Sequence, residues 1–351
     1  MLRRCWAKHA FPRSLSTTTP TQNTQNIRKK VTPQALQSIA RRNSRKLTMC
    51  TAYNYPQALH VDRALIDILL VGDSVGMVEL GYPTTQPVTM EEMLHHSKAV
   101  SRGCKKSLMV GDLPFGSYEI CDKEAVRNAH RFVKEASMDA VKLEGGSAER
   151  IATVKKIVSS GVAVMGHVGL TPQAISVIGG FRAQGRTALK ARSILDEALA
   201  LQDAGAFAVV LECVPDVVGR AVTETLEIPT IGIGAGAGTS GQVLVYHDML
   251  GLMSHPHHQQ FVPKFCKQYA SLGDDVREGL NRFRDEVESG AFPSQEFSPY
   301  TMGKDEEFVF RELLKKDELQ REKQRVEKGR ELTQADEYET LNLYGGNSNN
   351  R

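Results

Sequence analysis

The thirty residues from Ala140 to Gly169, AVKLEGGSAERIATVKKIVSSGVAVMGHVG, carry the pattern that decides the fold. A short aliphatic run, Ala140 to Leu143, is followed by a polar residue, Glu144. A mixed polar and apolar stretch of helical character comes next, and a second aliphatic run, Val162 to Gly166, is followed by His167. Strand-like runs alternating with helix-like stretches specify parallel strands with helices outside, because parallel neighbours can only be joined by a long crossover.

The same unit recurs on both sides. Leu47 to Ala52, Ile66 to Gly72 and Ser107 to Gly111 precede it, and Ala208 to Leu211, Thr230 to Ile233 and Val243 to Tyr246 follow. Eight such runs are the number that closes a (β/α)8 TIM barrel, which takes roughly 250 residues. The chain has 351 residues, so one barrel over residues 31–292 is expected, with short extensions at 1–30 and 293–351. Thr89 ahead of Glu91 and Glu92, Thr171 with Pro172, and Leu195 to Ala204 before Gly205 mark intervening helices. GGFRAQGR, Gly179 to Arg186, is too rich in glycine and charge for a core element and reads as a long loop at the barrel mouth.

The ends differ from this body. The first acidic residue is Asp62, preceded by Arg3, Arg4, Lys8, Arg13, Arg28, Lys29 and Lys30 in a Ser/Thr/Gln-rich leader. That is the composition of an organelle transit peptide, with a basic disordered tail as the alternative. Residues 1–30 are therefore read as a mitochondrial leader and the matrix as the destination. Past Phe292 the chain turns to Glu, Lys, Arg, Gln and Asp, with a charged helix expected from Asp305 to about Leu332, either a solvated face or an oligomer contact.

A net charge of +3, with the basic excess in the leader, argues against nucleic-acid binding and for a small-molecule partner. Cys5, Cys50, Cys104, Cys121, Cys213 and Cys266 form no CxxC pair, which excludes an obvious disulfide framework or zinc site. No apolar stretch approaches the roughly 18 residues of a spanning helix, so no membrane insertion is expected.

The chemistry is read from what ends successive strands: Asp73, Asp112, Glu144, His167 and Glu212. Any one of these could be an ordinary hydrogen-bonded strand-end residue. In a barrel, however, every such end faces one mouth, where barrel enzymes work. Asp73, Asp112 and Glu144 lie on adjacent strands, and three crowded carboxylates call for a cation. Oxygen ligation with positions left for water and substrate favours Mg²⁺ over zinc; for Glu144, an ion pair with Lys142 is the alternative. The cation with Lys142 suits an anionic 2-oxo acid that passes through an enolate, and Glu212, a strand away from the carboxylates, is then free to be the general base. IGIGAG, Ile231 to Gly236, is a weak dinucleotide signal, equally explained by close chain packing.

Eight motifs then resemble the ketopantoate hydroxymethyltransferase family, in its order: TAYNYP at Thr51, VGDSVGM at Val71, GDLPFGSY at Gly111, VKLEGG at Val141, GHVGLTPQ at Gly166, GGFRAQGR at Gly179, VLECVP at Val210 and IPTIGIGAG at Ile228. The resemblance runs from about residue 31 to 290. It implies a (β/α)8 barrel that transfers a hydroxymethyl group from 5,10-methylenetetrahydrofolate to 3-methyl-2-oxobutanoate, giving 2-dehydropantoate for pantothenate synthesis, in homo-oligomers that are often decameric. It implies Asp73 and Asp112 as Mg²⁺ ligands that also meet the 2-oxo acid, and Glu144 as a further metal-associated carboxylate. Ser74 and Lys142 are implied to bind substrate, Glu212 to accept the proton, and His167 to be the active-site histidine. Asn54 stands where the family commonly has Asp, and Ala183 where it has Val. MSHPHHQQ at Met253 is longer than the family's turn, and its His255, His257 and His258 read as a surface insertion in preference to a metal site. Two rivals remain: a folate-independent carbon–carbon lyase acting on a 2-oxo acid, and a catalytically silent protein that binds a partner through the charged helix.

Overall fold

The computed structural model describes residues 28–42, 45–253 and 263–344. Most of the expected leader, and the histidines of the 253–260 loop, lie outside the described residues. Two compact units divide the chain, one through Asp275 and one from Val276.

The first unit is a closed barrel of eight parallel strands in sequential order. They are β1 (Leu47–Thr51), β2 (Ile68–Val71), β3 (Leu108–Asp112), β4 (Ala140–Lys142), β5 (Ala163–Gly169), β6 (Ala208–Glu212), β7 (Thr230–Ile233) and β8 (Gly241–Leu244). All eight expected strands are present. The eighth sits two residues earlier than expected, because Tyr246 opens a short helix, Tyr246–Met249, with its N–H on Thr51 Oγ1. The helix expected after Thr89 forms as Met90–Gly103, and Thr89 and Glu92 close a capping box at its start. Thr171 makes no side-chain cap, and Pro172–Ala174 is a 3₁₀ turn leading to a helical turn at Ile175–Ile178. Gly179 to Arg186 is loop.

Strand alternation sorts the core into two. Leu47, Met49, Ile68, Leu70, Leu108, Val110, Ala140, Met165, Ala208, Val210, Ile231 and Val243 come from all eight strands and form one buried cluster, which can only be the barrel interior. Leu36, from the helix Pro33–Arg41, joins it and closes the N-terminal end. The intervening strand residues, among them Leu69, Val71, Met109, Val141, Val164, Val209 and Leu211, pack outward with the helices. Gly111 is one of these outward positions. A Cβ there would lie 2.4 Å from the Phe132 ring, so glycine lets the helix Asp122–Ala136 approach β3 just before Asp112.

Two buried aspartates fasten the N-terminal face. Asp62 accepts the N–H groups of Lys105, Lys106 and Ser107 at 3.1, 2.6 and 3.0 Å. The fully buried Asp67 carboxylate takes both guanidinium arms of Arg45 at 2.6 Å, the N–H of Thr48, and Arg28. Burial works against the charge on Asp67, but Arg45 and Thr48 outweigh it and hold its pKa below the ordinary value. A depressed folded-state pKa stabilises the fold above the unfolded value of about 3.9 and ceases to do so as pH falls through the folded value. Asp67→Asn is therefore expected to cost roughly 2 kcal/mol at pH 7, with the deficit against wild type shrinking below about pH 4. Urea unfolding at the two pH values measures this.

In the second unit the helix Lys304–Tyr344 starts beside the expected Asp305 and runs past Leu332. Its charges pair along the helix, as in Arg311 with Glu307 at 2.6 Å. The rings of Phe283, Phe292 and Phe297 pack at 5.8 and 5.9 Å.

Among the described residues no helix is long and apolar enough to cross a membrane, and Cys50, Cys104, Cys121, Cys213 and Cys266 are free.

Candidate active site

Strand alternation also explains why the polar residues meet. Asp112 follows Leu108 and Val110 on the interior face of β3, Lys142 follows Ala140 on β4, His167 follows Met165 on β5, and Glu212 follows Ala208 and Val210 on β6. The interior face that is apolar through the barrel becomes charged at its C-terminal mouth. Asp73, Asp112, Lys142, Glu144 and His167 are all buried there, while the Glu212 side chain remains 17% exposed.

Lys142 Nζ sits 2.8 Å from both oxygens of Asp112 and 3.9 Å from Glu144. The pairing of Lys142 with Glu144 is thus the looser of the two. His167 lies between two carboxylates, its Nδ1 3.3 Å from Glu144 and its Nε2 3.2 Å from Glu212, as charge contacts and not aligned hydrogen bonds. Glu212, a strand away from the other carboxylates, thus has His167 as its neighbour. Ser74 precedes the helical turn Val75–Val78, and its side chain makes no cap there; its Oγ lies 2.8 Å from Tyr53 Oη. The N–H of Asp73 points at Asp112 at 3.3 Å.

The charges do not cancel. Burial, then the charges of Asp112 and Glu144, raise the Asp73 pKa well above the carboxylate range, and Lys142 and Gln173 offset this only in part. Burial also raises Asp112, against the pull of Lys142. Burial acts against the charge on Glu144 too, but His167 prevails and lowers its pKa. For His167, burial favours the neutral ring, yet Glu144 and then Glu212 raise it to about 9, which favours the protonated ring. One buried carboxylate, Asp73, is left without a compensating charge, and there a divalent cation would replace a proton. Among the described residues no three acidic, histidine or cysteine side chains converge as a ready-made ligand set. Asp73 and Asp112 fit an ion that takes one or two carboxylates and completes its shell with water and substrate, as Mg²⁺ does.

Sequence reasoning passed over two residues in this network, Tyr118 and Gln173, both buried. Gln173 ends the motif GHVGLTPQ and Tyr118 ends GDLPFGSY, but neither has a charge to draw attention. Asn54 has a local explanation. Its side chain caps the helix Tyr55–Arg63 through the N–H of Gln57, which Asn does as well as Asp. IGIGAG is a packing feature: a Cβ on Gly236 would lie 1.9 Å from an Asp216 oxygen.

A closed parallel barrel with a buried acid–lysine–histidine centre at the C-terminal mouth of its strands defines a TIM-barrel enzyme. Residues 30–295 match the family model described as ketopantoate hydroxymethyltransferase. The chain is 55% identical over 276 residues to the mitochondrial 3-methyl-2-oxobutanoate hydroxymethyltransferase 1 of Arabidopsis thaliana, covering 79% of each chain. It is 53% identical over 271 residues to the 3-methyl-2-oxobutanoate hydroxymethyltransferase of Moorella thermoacetica, covering 77% of this chain and 98% of that one. Among solved structures, phosphonopyruvate hydrolase shares the fold at 13% identity and a TM-score of 0.50, over 82% of this chain and 98% of the other. The chain belongs to the ketopantoate hydroxymethyltransferase family.

Proposed function

We propose that this enzyme transfers a hydroxymethyl group from 5,10-methylenetetrahydrofolate to 3-methyl-2-oxobutanoate, giving 2-dehydropantoate in pantothenate biosynthesis. The observation that carries the reading is the convergence of the buried carboxylates Asp73 and Asp112 with Lys142 at the barrel mouth, with Glu212 open to the mouth on the far side of His167. Asp73 and Asp112 would hold Mg²⁺, with Glu144 adding negative charge from behind. The bound cation would act as a Lewis acid on the 2-oxo group and lower the cost of charge developing there. Ser74 and Lys142 bind the substrate, and the Lys142 ammonium stabilises negative charge on its oxygens. Glu212 takes the proton from C3. His167, between Glu144 and Glu212, balances the charge of Glu212. The resulting carbon nucleophile would bond to the folate-borne methylene as one of its carbon–nitrogen bonds breaks, and water would replace the second nitrogen, releasing the hydroxymethyl product and tetrahydrofolate. Turnover of 3-methyl-2-oxobutanoate with Mg²⁺ and the folate is the test: 2-dehydropantoate is the expected product, and carbon–carbon cleavage of the 2-oxo acid without folate would establish a lyase instead.

We further read residues 1–30 as a mitochondrial leader, 31–292 as the catalytic barrel and 293–351 as an appendage of a homo-oligomer, with the matrix as the working compartment. The leader's lack of acidic residues supports this, as do the mitochondrial relatives. A reporter carrying Met1 to Lys30 is expected to enter mitochondria and lose the leader there; a wholly cytosolic signal would refute it.

A further inference from the structure

Gln173 has every polar group committed. Its Nε2 donates to Asp73 Oδ2 at 2.8 Å and to the carbonyl of Leu113 at 3.0 Å. Its backbone N–H donates to Glu144 Oε2 at 3.1 Å, and its carbonyl accepts from Gln86 at 2.9 Å. Its Oε1 accepts from the Tyr118 hydroxyl, which in turn accepts the N–H of Glu144 at 3.2 Å. One buried residue on the turn after β5 is thereby wired to the ends of β2, β3 and β4.

The chemistry fixes the orientation of the amide. Two acceptors, a carboxylate and a carbonyl, face its nitrogen, and a hydroxyl with its proton faces its oxygen; a flipped amide would set oxygen against both acceptors. Tyr118 is itself held, with the Arg150 guanidinium 4.3 Å from its ring centre and bonded to its carbonyl at 3.3 Å.

We propose that Gln173 is a positioning residue of the acid centre: it holds Asp73 and Glu144 in the arrangement that receives the cation and the 2-oxo acid, and Tyr118 holds Gln173. Donation to Oδ2 leaves the other Asp73 oxygen as the one that faces a ligand, and it does so without adding a charge to a site that already has too many. A glutamate at this position would keep the shape but place a further carboxylate against Asp73. The inference rests on the proposed function, in which Asp73 and Glu144 belong to the metal and substrate site.

The test is calorimetric titration of Mg²⁺ with 3-methyl-2-oxobutanoate present, on the whole protein and on Gln173→Met, Tyr118→Phe and the double variant, with circular dichroism to establish folding. Gln173→Met keeps length and removes both amide functions. It is expected to weaken binding about tenfold or more, the scale of a hydrogen bond to a charged group. Because Gln173 does not touch Glu212, KM for the 2-oxo acid should rise while kcat stays within about threefold. Tyr118→Phe frees the amide to turn and should weaken binding in the same direction. The double variant should bind within about twofold of Gln173→Met, since both changes remove one arrangement; independent structural damage would multiply. Should Gln173→Met fail to fold, Tyr118→Phe decides, as it keeps the ring. Wild-type binding by either folded single variant, or multiplied losses in the double, would overturn the proposal. If the unaltered protein binds neither Mg²⁺ nor the 2-oxo acid, the functional reading itself fails, and this inference with it.

Discussion

Glu212→Gln is expected to lower turnover by about a hundredfold or more while leaving Mg²⁺ and 2-oxo acid binding nearly intact. The amide keeps the shape of the carboxylate and removes its basicity, and Glu212 stands apart from the buried Asp73–Asp112 pair that would bind. Its partner His167 sharpens the expectation. That ring lies 3.2 Å from Glu212, and the carboxylates on both sides of it raise its pKa to about 9, which disfavours it as a replacement base near pH 7. Solvent exchange separates proton removal from transfer. The unaltered enzyme in heavy water with Mg²⁺ should place deuterium at C3 of 3-methyl-2-oxobutanoate, and a folded Glu212→Gln variant should do so far more slowly. Exchange at the original rate in the variant would assign the proton to another group.

Asp73→Ala is expected to weaken Mg²⁺ and 2-oxo acid binding together, on the order of a hundredfold, because one side chain is proposed to serve both. Folding should largely survive, for the removed carboxylate is disfavoured as a charge by burial and by its neighbours Asp112 and Glu144, although the buried Gln173 amide loses an acceptor. Asp112→Ala differs in a way only the structure reveals. It removes the carboxylate that holds Lys142 through two contacts of 2.8 Å and leaves a buried ammonium behind. That variant should also lose about 3 kcal/mol or more of stability, the cost of breaking a buried pair from one side. Calorimetry for binding and urea unfolding for stability distinguish the two variants. If Asp73→Ala binds Mg²⁺ like wild type, the cation lies elsewhere.

Much of the barrel and its charged mouth is legible in the amino-acid sequence. A barrel strand buries both of its faces, so β2, β5 and β6 had to be continuous aliphatic runs, and the first polar residue after each run had to emerge at the mouth. Repetition of that unit eight times is a covalent fact, and closure follows from it. Asp73, Asp112, Lys142, Glu144, His167 and Glu212 are visible for the same reason: a charge next to a strand end is conspicuous against what precedes it. The end of the last strand is less legible, because Leu244 and Val245 are as apolar as the strand itself, and Thr51, distant in sequence, receives the N–H that starts the next helix.

What the sequence determined alone is therefore the list of charged groups and their common face. Which of them pair was decided by tertiary structure. Lys142 is two residues from Glu144 but binds Asp112, thirty residues earlier on the neighbouring strand, because parallel register sets Asp112 against Lys142. His167 came to lie between Glu144 and Glu212, and Asp73 beside Asp112, through burial and distance together. Tyr118 and Gln173 stayed hidden because a neutral side chain gives no sign in sequence of the charges it holds in place. Electrostatic and hydrogen-bond energies depend on separations of a few ångströms across chain segments, and those separations exist only once the barrel has closed.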